Sequence, residues 1–357
     1  VKITDVKLYP VGTRRETGGI SPHIIVTMAT DDGPIGVGEM SDLAHNPALP
    51  DVDYLEYTLN KRLSGADPFD PERIDPVVDG FQAPLGAGID TAIHDLRGKI
   101  LGVPVHDLYG GAYRDRYKIC YPIFRQMDMS QFDLNLDRVK RMLDLGFDLF
   151  RFYVGGDVDI DDKLFRQLRD NHGDAFKVKS LDFSNRLDWK SCVAAVERLA
   201  WVEPMLVESP AKDIIGKAKA RERIPFPVSE HCNSVEEAIA FADSVDILNI
   251  QVSSAGIRRM REVFATAQGL GLKTLIGTTQ ELSIGVSAQG HLGASVPNLD
   301  FPGDAAGAQL YLEDVVVDRV KYDNGHLVVP KGPGLGMELD QESLSKLGSR
   351  TWDILKK

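Results

Sequence analysis

From about Tyr117 onward the chain alternates short apolar runs with amphipathic stretches about eight times, which restricts it to a parallel sheet with helices packed outside. The runs are KICYPIFRQ, FDLFRFYVG, AFKVKSLDF, MLVES, PFPVSE, VDILNIQV, KTLIGT and NLDF. Between them apolar residues recur at helical spacing, as in Trp189, Val193, Val196 and Leu199, or Ile257, Met260, Phe264 and Ala267. Gly146 and Gly271 suit helix stops ahead of the next strand. About eight such units close into a barrel of roughly 250 residues. A chain of 357 residues leaves room for a second, smaller unit.

That unit precedes the barrel. VKITDVKLYPV and HIIVTMATDDGPIGVGEM read as antiparallel strands, turning at Asp31, Asp32 and Gly33. Three helical stretches follow, the last from about Gly88 to Leu101 with Ile89, Ile93, Leu96 and Ile100 on its apolar face. The tail YDNGHLVVPKGPGLGMEL returns to hairpin texture and is expected to pack back on the N-terminal domain. The expected boundaries are 1–112 for an α+β domain, 113–320 for the barrel and 321–357 for the C-terminal segment.

Composition narrows the partners. No apolar run approaches the ~20 residues that span a membrane, and VKITDVKLYP alternates like a strand rather than a signal peptide. Cys120, Cys192 and Cys232 are odd in number and too dispersed for a disulfide framework or a zinc site, so a reducing cytoplasm is expected. A net charge of -12 without a basic patch argues against nucleic acid.

Three of the runs end in a carboxylate: Asp182 in VKSLDFSN, Glu208 in MLVESP and Glu230 in PFPVSEHC. They are 26 and then 22 positions apart, close to one strand plus one helix, so neighbouring barrel strands bring all three to the strand C-termini. Oxygen-only ligands on rigid strands favour Mg²⁺ over zinc. On the preceding strand, Phe150, Phe152 and Val154 share one parity and face the helices, while Leu149, Arg151 and Tyr153 face the interior. A cation and a phenol therefore point toward the carboxylates.

At this point the sequence resembles a known family. GAGIDTAIHDLRGKILGVPVHDLYGG is similar to the linker into the barrel of the mandelate racemase and muconate-lactonising group of the enolase superfamily. In order there follow LDFSN, with Ser184 where that group has the asparagine of D-x-N; VESP; SEH; VDILNI; an AG-I turn at Ala255 to Ile257; TTQELSIGVSAQGHLGAS; and PNLDF. The resemblance spans essentially the whole chain. It implies a (β/α)7β barrel with an α+β capping domain, one essential Mg²⁺ held by Asp182, Glu208 and Glu230, a homo-oligomer, and removal of the proton alpha to a substrate carboxylate to give an enediolate. The chain departs from the family where bases usually stand. Arg151 and Tyr153 replace a Lys-x-Lys pair, Gln251 takes the place of a lysine or aspartate on the sixth strand, and Gly277, Thr278 and Thr279 stand where some members place a histidine.

The remaining candidates are weighed singly. A Tyr153 base at neutral pH needs about 4 kcal/mol of differential stabilisation, part of which a neighbouring guanidinium supplies. Arg151 is expected to bind a substrate carboxylate or the enediolate. Parity turns His231 away from the cavity, but at a strand end its imidazole can swing back as an acid. His94 and His291 lie in helix patterns and read as structural. Lys179, of parity opposite to Asp182, should face outward, with only a minor route to substrate. Glu281, and Asp300 at the expected eighth strand end, can bind sugar hydroxyls, as can Gln251. The loop GTRRETGGISPH brings Arg14, Arg15 and His23 between the first two strands, and in the family this loop closes over the site. The expected activity is dehydration of a hydroxylated carboxylic acid, most simply a sugar acid. A cycloisomerase, a racemase or a non-catalytic metal-binding homologue are the alternatives.

Overall fold

The computed structural model describes residues 1–41, 43 and 50–355, the last seven through their backbone alone. Three antiparallel strands, β1 (Ile3–Arg14), β2 (Ile20–Thr30) and β3 (Ile35–Met40), form the first sheet. Every second residue, Val6 and Leu8 on β1 or Ile24, Val26 and Met28 on β2, enters one core. Helices α1 (Val52–Leu63), α2 (Pro71–Val78) and α3 (Leu85–Leu101) close it with Leu55, Leu59, Ile74, Ile89 and Ile93. Asp51 starts α1 by accepting a hydrogen bond from the Tyr54 amide. Helix α3 lies almost on β3, since a Cβ at Gly38 would sit 2.1 Å from the Gly88 carbonyl oxygen.

The barrel follows with β4 (Arg116–Lys118), β5 (Tyr121–Ile123), α4 (Phe132–Asp144), β6 (Leu149–Tyr153), α5 (Val158–His172), β7 (Lys177–Asp182), α6 (Trp189–Leu199), β8 (Leu206–Glu208), α7 (Ile214–Arg221), β9 (Val228–Cys232), α8 (Val235–Phe241), β10 (Ile247–Ile250), α9 (Val252–Leu270), β11 (Lys273–Ile276) and α10 (Ser283–Ser295). Strands β5 to β11 lie side by side in chain order, all parallel. The run NLDF is not a regular strand. Closure falls to the extended stretch 300–304: the Asp300 amide donates to Thr274 O, the Asp304 amide to Ile276 O and the Cys120 amide to Gly303 O. Outside the barrel wall, Phe150, Phe152, Phe165 and Phe176 form one aromatic cluster, as the parity of β6 requires.

The AG-I turn joins the two units. Helix α9 breaks at Ala255 and Gly256, and the latter, at φ +84, leaves its backbone against Asp90 of α3, whose carboxylate accepts the Ile257 amide at 2.6 Å. A side chain at 256 would strike that carboxylate. The C-terminal segment is shared between the units. Its hairpin, β12 (Tyr322–Asp323) and β13 (His326–Val328), pairs with β4, whereas α11 (Gln341–Leu355) packs on β1.

One buried pair here carries a pH prediction. His291 on α10 and His106 in the turn Val105–Tyr109 meet Nδ1 to Nδ1 at 2.9 Å, so at most one of these two nitrogens bears a proton. Burial pushes His291 down to about 3 and lowers His106 as well. The unfolded chain takes a proton on His291 near its ordinary pKa of about 6.5 and the folded chain refuses it, so stability is full above that pH and falls as the pH drops toward about 3. The slope from one such group is at most about 1.4 kcal/mol per pH unit. His291→Gln is expected to flatten it, read as urea midpoints from neutral to acidic pH.

Candidate active site

The three carboxylates end adjacent strands. In the ladder Asp182 is opposite Glu208, and Glu208 is opposite Ser229, one residue before Glu230. Register alone brings them to one end of the barrel, where a cleft of about 310 Å³ opens, lined by Arg151, Tyr153, Asp182, Ser184, Asn185, Ser209, His231, Gln251 and Thr278 to Gln280.

Every carboxylate in the trio is already met by a cation. The Arg151 guanidinium, fully buried, donates from Nη2 to Asp182 Oδ2 at 2.5 Å and lies 2.8 Å from Glu208 Oε1. Its Nε also reaches Asp182 and its Nη1 reaches Asp304 Oδ2 at 3.3 Å. Lys217 of α7 places Nζ 3.1 Å from Glu230 Oε2. Glu230 Oε1 accepts from Ser209 Oγ at 2.8 Å and from the His231 amide. Asp182 Oδ1 accepts from the Ser184 amide and hydroxyl, so Ser184 serves the aspartate directly. Burial raises the Asp182 carboxyl more than Arg151 lowers it. Burial acts the same way on Glu208, but Arg151, His231 and Lys179 together hold its carboxyl below the ordinary range.

His231 does swing back into the cleft. Its Nε2 lies 3.1 Å from Glu208 Oε1, and the Gln251 amide lies 2.6 Å from Nδ1. Burial lowers its basicity, but the Glu208 hydrogen bond and charge more than restore it, and the pKa ends above the ordinary histidine value. Tyr153 is a correction. Its ring packs under the Arg151 guanidinium at 4.7 Å and beside Phe124, yet removal from water raises the phenol pKa, and Asp182, Glu208 and Asp304 raise it further against the lowering by Arg151. That direction opposes the role of base expected of Tyr153.

Lys179 and Asp300 are corrections of position. Phe150 pairs with Val178 but Arg151 pairs with Ser180, so Lys179 is the extra residue of a bulge and its parity is reversed. Its side chain turns inward, fully buried, with Nζ 2.5 Å from Asp304 Oδ1. It is occupied beneath the cleft and does not line it. Asp300 accepts from the Thr274 amide and from Lys273 at the start of β11, so it marks the opposite end of the barrel. The acid at the site end is Asp304, which sequence reasoning missed. It receives Arg151, Lys179, the Cys120 thiol and Asn249, the last of which also donates to Glu208 at 3.0 Å.

Three further candidates lie elsewhere. Arg14 pairs with Glu313 on the exposed surface, and Glu16 in the following loop contacts Tyr121 of β5 and Arg138 and Arg141 of α4, which docks that loop on the barrel's flank. His23 is buried against Glu39 at 2.9 Å, and Glu39 in turn accepts the Leu282 and Gly285 amides at the start of α10. Glu281 is buried and holds the Thr278 and Thr279 hydroxyls, which themselves line the cleft. It acts on the site through them.

The residues suit a hard cation in chemistry more than in present spacing. Among the described residues, no three or more His, Cys, Asp or Glu side chains are gathered closely enough to hold a metal ion. Arg151 stands between two of the three carboxylates. The donors are nevertheless all oxygens on adjacent strand ends, and Glu208 Oε2 is buried without a hydrogen-bond partner.

Comparison with known proteins agrees with this fold. Residues 136–343 match the Enolase C-terminal domain-like family, and residues 1–110 match the mandelate racemase / muconate lactonizing enzyme N-terminal domain. The chain belongs to the enolase superfamily, in its mandelate racemase and muconate-lactonising group. It is 26% identical to chloromuconate cycloisomerase of Cupriavidus pinatubonensis over 90% of both chains. It is 27% identical to N-succinyl-L-Arg/Lys racemase of Bacillus cereus over 97% of this chain and 98% of the other. D-xylonate dehydratase of Haloferax volcanii is 25% identical over 96% of this chain and 89% of its own. The fold matches muconate lactonizing enzyme from Pseudomonas putida with a TM-score of 0.87 at 21% identity, covering 97% and 99% of the two chains. The enolase-superfamily assignment therefore holds for the whole described chain, while the relatives divide between isomerases and a lyase. No helix among the described residues is long and apolar enough to cross a membrane.

Proposed function

We propose that the chain is a metal-dependent hydro-lyase that takes the proton alpha to the carboxylate of a hydroxylated acid and expels the beta hydroxyl as water, leaving a 2-keto acid. The observation that carries this reading is the cleft lining: Ser184, Asn185, Ser209, Gln251, Thr278 and Thr279 offer hydroxyls and amides, which suit a polyhydroxylated substrate. Asp182, Glu208 and Glu230 would hold Mg²⁺, which when bound supplies the positive charge that acidifies the alpha proton. His231 Nε2 is the proton-carrying atom. With the Gln251 amide turned so that its carbonyl oxygen accepts from Nδ1–H, the neutral ring has its lone pair on Nε2, which accepts the alpha proton and then delivers it to the departing hydroxyl on the same face of the substrate. Gln251 at Nδ1 fixes the ring plane, and the Tyr153 hydroxyl donates a hydrogen bond to a substrate oxygen.

The cycloisomerase reading is favoured by the chloromuconate relative, matched over 90% of both chains. The two separate on products. Incubation with a panel of mono- and diacid sugars is expected to give a 2-keto acid with loss of one water. His231→Asn should abolish both keto product and exchange of the alpha hydrogen with D₂O, while Tyr153→Phe slows both without preventing exchange. A ring-closed isomer of equal mass would establish the cycloisomerase, and inversion at the alpha carbon without keto product a racemase. Retained metal binding with no conversion of any acid would leave a non-catalytic homologue.

A further inference from the structure

The site is charge-balanced by the chain's own side chains. Four buried carboxylates, Asp182, Glu208, Glu230 and Asp304, face three fixed cations, Arg151, Lys179 and Lys217. His231, bonded to Glu208, adds a fourth positive group when protonated. A divalent ion added to this set would leave an excess of buried positive charge, which a low-dielectric interior does not tolerate without compensation. The guanidinium that bridges Asp182 and Glu208 also has a second anchor. Nη1 points to Asp304 Oδ2, which Asn249 also contacts, while Lys179 holds the other oxygen, Oδ1.

We propose that Arg151 is the resident cation of the Asp182–Glu208 pair, that a divalent metal enters by exchange with its guanidinium, and that Asp304 is the positioning residue that receives the released charge. This rests on the metal-dependent reading given above. Two features favour exchange over simple addition. Nη2 contacts both carboxylates at once, so the two acids are drawn onto one nitrogen and not left spread for an incoming ion. Glu208 Oε1, with Arg151, Asn249 and His231 around it, is saturated, while Oε2 has no partner, so Glu208 is already turned with one oxygen toward the resident cation and one unspent. Arginine suits this task because its planar fork holds several carboxylates at once and never deprotonates. Once freed from the pair, its fork is at the cleft wall beside Tyr153, where a substrate carboxylate can take the vacated donors.

The exchange predicts opposite effects from two substitutions, neither at a metal ligand. Arg151→Met removes the competitor and is expected to tighten Mg²⁺ binding at least tenfold in calorimetry. Asp304→Asn removes the receiving anchor and should weaken binding at least tenfold. Arg151→Lys keeps the charge but loses the fork, and is expected to bind Mg²⁺ more tightly than wild type. In the wild-type protein, the Arg Nε–H NMR signal that disappears in Arg151→Met should shift as Mg²⁺ is titrated. Should Arg151→Met fail to fold, the Arg151→Lys affinity and the wild-type NMR titration decide. Wild-type binding together with equal or weaker binding by Arg151→Met or Arg151→Lys, or an unmoved Arg151 signal, overturns the exchange alone. Absence of Mg²⁺ binding in wild type and in every variant overturns the metal reading with it.

Discussion

Glu208→Gln is expected to lower turnover by roughly a thousandfold or more while the barrel stays folded, because one oxygen of Glu208 joins the arginine, the asparagine and the histidine of the site. Its Oε1 meets Arg151 at 2.8 Å, Asn249 at 3.0 Å and His231 at 3.1 Å. A carboxylate accepts all three donors; an amide has one accepting atom, carries no charge, and turns two donors of its own toward one side of this cluster. The loss has separable parts. His231 is deprived of the charge that raises its pKa, so its proton affinity drops. The set of carboxylates proposed to hold Mg²⁺ falls from three to two. Arg151 still has Asp182 and Asp304, which is why the fold is expected to survive, with a melting temperature lower by several degrees. Keto-acid formation, Mg²⁺ calorimetry and thermal melts check the three parts. Wild-type turnover in this variant would remove Glu208 from the mechanism.

The amino-acid sequence made the architecture legible because it is written in periodicity: alternating strand and helix signals specify a parallel barrel, and strand-end position specifies where Asp182, Glu208 and Glu230 lie. Arg151 was legible for the same reason, since β6 has a simple period of two. Lys179 was not. A single bulge at Lys179, opposite the step from Phe150 to Arg151 on the partnered strand, shifts its parity, and no residue type announces that bulge. Asp300 misled because NLDF has the composition of a strand, while closure is made by backbone hydrogen bonds of residues 300–304, which place Asp304 at the site end. Lys217, on a helix, gave no signal at all. The Tyr153 phenol needed burial and distances: removal from water raises its pKa first, and whether one guanidinium outweighs that together with three carboxylates cannot be read from side-chain order.

Lys179→Met is expected to cost about 3–5 kcal/mol of stability, the second large effect, because it leaves a buried carboxylate short of its closest cation. Asp304 keeps Arg151, but at 3.3 Å and shared with Asp182 and Glu208, so the loss is not made good locally. Asp304→Asn alone strands the Lys179 ammonium in the barrel interior and should cost a similar amount. Changing both removes the cation and the anion together, and methionine fills much of the lysine's apolar volume, so the double variant is expected to be more stable than either single one. The coupling energy in that cycle should reach at least about 2 kcal/mol, read from urea midpoints of the four proteins. Additive losses would show that the pair is not an energetic unit and that Asp304 is held by Arg151, Asn249 and Cys120 without help from Lys179. The same four proteins bear on catalysis. If Lys179 only steadies Asp304, the double variant regains stability yet keeps the Mg²⁺-binding defect of Asp304→Asn, since the anchor for Arg151 is still missing.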